Sequence, residues 1–245
     1  MIPTPPKTTA AMKDADEKTV TVPELLRFFS VLSHDLKSPI FSIDGFSELL
    51  HSEYAGRLDD DGRDFLERIR SSAQQLKRIL EEMSRLIKLV SRPNASRPTN
   101  LSEIVDEIRL KFNYAFDDGA VGFSVPDDLP TVNVDPEKMR EAIAVLISNA
   151  LFFTDRAKGD RRVALEWSRD AGTHRFCVVD NGIGVDPRYV NQLFELGVKL
   201  DKARGGGPGY GLYLAKQVIE SHGGTMTVDS VAGEGSRFCF TLPGA

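Results

Sequence analysis

The run Ser33-His34-Asp35-Leu36-Lys37-Ser38-Pro39 lies inside a longer pattern that sets the architecture of the first part of the chain. Around it Leu25, Phe29, Leu32, Leu36, Ile40, Ile43, Phe46 and Leu50 recur at spacings of three and four, which predicts a long amphipathic helix with a nearly heptad seam. Gly56 and the acidic cluster Asp59-Asp60-Asp61 mark a turn and a new helix start. Phe65, Ile69, Ala73, Leu76, Leu80, Met83, Ile87 and Val90 then repeat the same spacing. Two such helices joined by a short loop form a hairpin, which encloses no core by itself. A homodimer that doubles the hairpin into a four-helix bundle is the economical solution; the alternative is a hairpin packed on the second half of its own chain.

Working outward, residues 1–21 mix Pro, Thr, Lys and Asp with almost no large apolar side chains, the composition of a flexible tail. The hairpin occupies 22–92. Two prolines and no apolar period between Ser91 and Pro98 indicate a linker, bounded at 93–100. From 101 to 245 the texture changes. Helices are expected at 101–116, 136–153 (with Pro136 in the first turn) and 210–221. Strands are expected around Val163–Trp167, Phe176–Val179, Met226–Val228 and Phe238–Leu242, together an α+β sandwich with helices on one face of a sheet.

With 245 residues, 41% hydrophobic and 27% charged, the chain can bury a real core. A net charge of −5 argues against wholesale binding of nucleic acid. No apolar run approaches the length of a membrane span and no secretory signal is recognisable, so the expected location is cytoplasmic. Cys177 and Cys239 lack metal-type spacing and are expected to be buried free thiols. His51 and His222 fall near helix ends, as C-terminal cations or capping groups, and His174 falls in an expected turn.

Four elements of the second half carry chemistry. Asn149, within the helix from Pro136, offers an amide oxygen suited to a Mg²⁺ shell completed by water and phosphate. Asp180-Asn181-Gly182-Ile183-Gly184 follows a strand directly; its carboxylate can accept from a purine amine, and its glycines let the backbone turn closely round the ring. Gly205-Gly206-Gly207-Pro208-Gly209-Tyr210-Gly211-Leu212 opens a helix, where exposed N–H groups and the helix dipole favour phosphate. It lacks the Lys-Ser or Lys-Thr ending of a P-loop. The fourth, Gly233-Glu234-Gly235-Ser236-Arg237-Phe238, is a turn feeding the last strand and is more structural than chemical.

In order and spacing, these elements resemble the sensor histidine kinases and their Bergerat-type ATP-binding domain, shared with gyrase B and MutL. The Asn149 helix is similar to the N box, Asp180 to Gly184 to the first glycine box, Phe194 to the F box, and Gly207 to Leu212 to the second glycine box. His34 to Pro39 resembles the phosphoacceptor H box, and the likeness runs over about residues 22–243. The resemblance implies that His34 takes the γ-phosphate of ATP and passes it to an aspartate on a response-regulator receiver domain. Asp35 would orient the ring and take up its proton. Ser38, one turn on, occupies the position that serves phosphatase activity in the family. Asp180 would bind adenine, Asn149 the Mg²⁺ ion, and Gly182, Gly184, Gly207, Gly209 and Gly211 would shape the nucleotide cleft. Lys199 would stand near the γ-phosphate, and Pro187 to Gly206 would form a lid. Pro39, without an N–H, is expected to kink its helix.

Two positions depart from the family pattern. Val145 stands where an Asn is usual four residues before the Mg²⁺ ligand, and Phe152 where a basic residue often touches phosphate. Both should weaken metal and nucleotide binding, with Lys199 or a lid cation available to compensate. The leading expectation is therefore a dimeric, ATP-dependent protein-histidine kinase that takes its input from a separate sensor protein or another region. A degenerate pseudokinase acting as a nucleotide-binding docking module is the second, and a serine kinase on the same ATPase fold the third. The H-box hairpin argues against the last.

Overall fold

The computed structural model describes residues 22–116, 121–155, 157–198 and 209–244. Two long helices come first, α1 (Val22–Tyr54) and α2 (Asp60–Ser91), joined by a single 3-10 turn at Ala55–Arg57. Asp59 starts α2 by accepting a hydrogen bond from the Gly62 N–H at 2.8 Å, and Asp60 and Asp61 place negative charge on the positive end of the helix dipole. The helices pack antiparallel. Lys77 fixes their register, bonding Asp44 at 2.9 Å while its ammonium lies 4.5 Å over the Phe41 ring. α1 runs through Pro39 without interruption.

Burial in this hairpin is lopsided. Ile40, Leu66, Ala73, Leu80 and Ile87 are buried, whereas seam residues Phe46 (68% exposed), Phe65 (63%) and Ile69 (52%) face outward. Much of the periodic apolar seam thus has no cover among the described residues.

The second half is an α+β sandwich. Strands β1 (Arg97–Asn100) and β3 (Thr131–Val134) form a small antiparallel pair. β2 (Gly122–Ser124), β4 (Arg162–Asp170), β5 (Thr173–Asp180), β6 (Met226–Val231) and β7 (Gly235–Pro243) form a sheet in the order β2-β4-β5-β7-β6. Only β2 and β4 pair in parallel. Helices α3 (Leu101–Lys111), α5 (Pro136–Phe152) and α6 (Gly211–Ser221), with the short α4 (Asn113–Phe116), supply the rest.

Alternation along the strands shows which face the helices cover. Leu165, Phe176, Val178, Phe238 and Phe240 share one face and join Ile104, Ile108, Ile143, Ile147, Val218 and Ile219 in a single core. Asp180 continues that same side of β5 by the period of two.

Three sequence-based expectations need correction. Cys177 and Cys239 are not free thiols: they stand opposite one another in the β5–β7 register, on the other face of the sheet, and form a disulfide. Their pairing depends on strand register, which residue spacing does not reveal. His174 is not in a turn but inside β5, where its Nδ1 accepts from the Trp167 indole N–H at 3.2 Å and burial lowers its pKa. The helix expected at 101–116 breaks at Phe112, dividing α3 from α4.

Candidate functional site

His34 lies on the outer surface of α1, with 87% of its side chain exposed. Its Nδ1 sits 3.2 Å from Asp35 Oδ1. An ionised carboxylate only accepts, so this contact selects the tautomer with the proton on Nδ1 and leaves the Nε2 lone pair facing solvent. Neighbouring helix residues diverge by about 100° and rarely meet, so helical spacing could not predict this contact. Ser38, one turn further, is exposed, and its carbonyl accepts from Ser42 Oγ at 3.1 Å.

The second group gathers at one end of the sandwich. Asp135 caps α5, Pro136 occupies its first turn, and the helix carries Asn149 near its far end. Asn149 is half-buried, and its side-chain amide makes no hydrogen bond among the described residues, leaving its oxygen available to a ligand. After α5 the chain meets the loop that follows β5: the Ile183 N–H donates to the Phe153 carbonyl at 3.0 Å. This approach is why residue 182 is a glycine, since a Cβ there would strike the Phe153 carbonyl. Gly184, at φ +63°, presses in the same way on the Val231 carbonyl.

Asp180, 7% exposed, lies at the mouth of this cradle. Burial raises its pKa, opposed by hydrogen bonds from the Gly182 and Ser236 backbone N–H groups and by the positive charge of Lys158. A buried carboxylate with unspent acceptor capacity suits a ligand N–H donor.

α6 begins at Gly211, and its N-cap residue Tyr210 makes no side-chain capping hydrogen bond. First-turn N–H groups of a helix suit an anion. Gly209 adopts φ +84°, and its carbonyl accepts from the Gly197 N–H at 3.0 Å. Val145 lies directly beneath Gly211, so that a Cβ on residue 211 would stand only 3.2 Å from its Cγ1. Phe152 is 43% exposed and packs edge-on against Phe153. Phe194 is half-buried, edge-on to Phe238. Lys199 and Gly207 lie outside the described residues.

Two features escaped the sequence reading. The first is a cluster where α2 meets the sandwich. Arg92 grips Asp135 with both terminal nitrogens, at 2.6 and 3.0 Å, and reaches Glu137 at 2.7 Å. Burial pushes the Asp135 carboxyl up, but Arg92 and the N–H groups of Ala95 and Lys138 outweigh it, giving a pKa of about 2. Lys138 is 2% exposed; its ammonium bonds the Arg92 carbonyl at 2.6 Å and Asn94 Oδ1 at 2.7 Å. His222 Nε2 accepts from the Asp135 N–H at 3.0 Å, so Nδ1 carries the proton and donates to the Val218 carbonyl at 2.8 Å. His222 therefore serves as a capping group, one of the two roles expected of it. Asp135-Pro136 is a readable helix-start signal; its partners are not. The second feature is Lys158, in a loop with no sequence signature.

Apolar contact reinforces the first junction: Ile87 of α2 packs with Tyr210 and Leu214 at the start of α6, and the Tyr210 hydroxyl reaches the Ile79 carbonyl at 3.3 Å.

This geometry meets two sequence families. Residues 24–91 match the His Kinase A (phospho-acceptor) domain, and residues 134–245 match the histidine kinase-, DNA gyrase B-, and HSP90-like ATPase. The phytochrome-like protein Cph1 of Synechocystis is 27% identical over 225 residues, covering 90% of this chain. The sensor protein kinase WalK of Staphylococcus haemolyticus is 27% identical over 241 residues, covering 96%. The chain spans only 29% and 39% of the length of these two relatives. Among solved structures, full-length ShkA in complex with AMPPNP superposes with a TM-score of 0.66 at 24% identity, over 91% of this chain and 46% of ShkA. The mycobacterial sensor histidine kinase MprB gives 0.54 at 24% identity, over 61% of this chain and 98% of its own. The chain thus carries a phosphoacceptor domain of the His Kinase A type followed by an ATPase domain of the histidine kinase-, gyrase B- and HSP90-like type, and the relatives it resembles include sensor kinases.

Proposed function

We propose that this chain is the catalytic core of a two-component signalling kinase, which phosphorylates itself on His34 and hands the phosphoryl group to an aspartate of a response-regulator receiver domain. The observation that carries this reading is the His34–Asp35 contact in a chain that also holds a buried carboxylate in a glycine cradle. Nε2 of His34 forms a bond to the γ-phosphorus of ATP as the bond to the bridging oxygen breaks and ADP leaves. The ring then carries an extra positive charge, which it relieves by passing the Nδ1 proton to Asp35.

Asp180 accepts from the exocyclic amine of adenine, with Gly182 and Gly184 allowing close approach of the ring. The α6 N-terminus, with Gly209 and Gly211, would face the phosphates; the resemblance adds Gly207 and gives Lys199 the γ-phosphate, both outside the described residues. Asn149 would hold Mg²⁺, which when bound would supply charge neutralisation on the phosphate oxygens. Among the described residues no cluster of three acidic, histidine or cysteine side chains forms a separate metal cage, which fits a cation held largely by nucleotide and water. Ser38 keeps a hydroxyl one turn from His34 and can position water for dephosphorylating the receiver.

The uncovered seam at Phe46, Phe65 and Ile69, and the groove lined by Ile40, Ile43, Ala73 and Leu76, fit a second hairpin from an identical chain. We place the protein on the cytoplasmic side, where ATP and receiver domains are available; no described helix is long and apolar enough to cross a membrane.

The test is incubation with γ-labelled ATP and Mg²⁺. Acid-labile, alkali-stable label on the wild type that disappears in His34→Gln supports the reading. Acid-stable label, or label that survives the substitution, contradicts it.

A further inference from the structure

Lys158 is a cation with no role in the chemistry above, yet it is held by four backbone carbonyls. Its ammonium donates to Asn181 O at 2.8 Å and Gly182 O at 3.3 Å on the loop after β5, and to Gly233 O at 2.8 Å and Glu234 O at 3.4 Å on the β6–β7 turn. The strongest contact on the first loop has a consequence for the nucleotide cleft. Asn181 C=O and Gly182 N–H belong to one planar trans peptide and point in opposite directions. While the carbonyl end is drawn to Lys158, the N–H end donates to Asp180 Oδ1 at 2.8 Å. Hydrogen bonds at the two ends of one peptide polarise and strengthen each other.

The other donor to Asp180 is built the same way. Ser236 N–H shares its peptide with the Gly235 carbonyl, which accepts from Ser230 Oγ at 2.9 Å. Both peptides that aim an N–H at the carboxylate are thus anchored at their far ends, one by a full positive charge.

We infer that Lys158 is a positioning residue for adenine recognition, setting the orientation of Asp180 through the 181–182 peptide without touching the nucleotide. The inference rests on the assignment of Asp180 to the adenine amine. Other bonds hold this region without Lys158: Gly233 N–H to Ile183 O at 2.7 Å and Val185 N–H to Ser230 Oγ at 2.8 Å join the two sides, and Asn181 Nδ2 to Asp160 O at 2.6 Å ties the first loop to the segment before β4. The fold therefore survives its replacement.

The test compares binding of ADP and of IDP, which carries a carbonyl in place of the adenine amine, by calorimetry on the full chain. Lys158→Met should weaken ADP by ~10-fold, the scale of one charge-assisted contact, and IDP by less than ~3-fold, so that discrimination narrows. Lys158→Arg should restore most of it, and Lys158→Gln, neutral but still a donor, should fall between. Equal weakening of both nucleotides by Lys158→Met, or no weakening at all, overturns the inference. Asp180→Asn separates the two ideas: if it leaves discrimination intact, the adenine assignment fails and the inference with it. If it abolishes discrimination while Lys158→Met and Lys158→Gln do not, the inference alone fails.

Discussion

The two halves of the molecule solve the burial problem differently. In the ATPase half one sheet face and three helices enclose Ile143, Ile147, Phe176, Val178 and Ile219, each at most 1% exposed. That half is complete as a single copy. The hairpin has the same apolar periodicity but buries one side of it only, leaving Phe46, Phe65 and Ile69 more than half exposed. The proposed nucleotide pocket would need a rigid, finished core, because Gly182 and Gly184 lie so close to the Phe153 and Val231 carbonyls that neither leaves room for a Cβ. The phosphoacceptor needs the reverse: an exposed histidine that a donor and then a receiver can reach. In the proposed homodimer, assembly through the unfinished face would keep His34 accessible while completing the core beneath it.

The largest expected effect breaks this contrast at the hairpin. Phe65→Glu together with Ile69→Glu should raise the dimer dissociation constant by ~100-fold or more, read by sedimentation, since buried aromatic and aliphatic anchors dominate such interfaces. ADP affinity should be unchanged, because the ATPase half is finished without a partner. Loss of ADP binding alongside dissociation would show that the halves are not independent.

The next effect concerns the junction. Arg92→Met leaves the Asp135 carboxylate buried without its main partner and should destabilise the chain by about 2–3 kcal/mol in chemical denaturation. The same pair sets an acid limit. The folded pKa of Asp135, about 2, lies below its ordinary value of 3.8, so its contribution is fully present above the ordinary value and fades as pH falls toward 2. Arg92→Met should flatten the stability profile across that window, and an unchanged slope would remove Asp135 from the account.

The smallest effect sharpens the pocket. Val145→Asn introduces beneath Gly211 the amide that the resemblance leads one to expect there, and should raise apparent Mg²⁺ affinity in autophosphorylation by a factor of about 3–10. A decrease would mean that the apolar contact between Val145 and Gly211 matters more than the missing amide.

How much of this was legible in the sequence depended on the range of the interactions. Helices α1, α2, α5 and α6 follow from three-four periodicity and from local signals such as Asp59 and Pro136, which act within one turn. The longer strands β4, β5 and β7 show as apolar runs. β1 and β3 do not: each is four residues, and β1 contains Pro98, which suits an edge position and conceals the strand. The candidate nucleotide site could be proposed from sequence because its glycines and Asp180 sit in contiguous loops. Lys158 was not, since its partners are backbone carbonyls up to 76 residues away, and carbonyls leave no mark on sequence. The Cys177–Cys239 pairing and the Arg92–Asp135 clamp were hidden for the same reason: register and junction exist only after folding.

The division of labour between the halves is tested most directly by measuring ATP binding and phosphoryl incorporation on the same two variants. His34→Gln should bind ATP as the wild type does and carry no label, while Asp180→Asn should lose affinity and label together. Label persisting in His34→Gln, or full labelling of Asp180→Asn at limiting ATP, would contradict a donor site in one half serving an acceptor in the other.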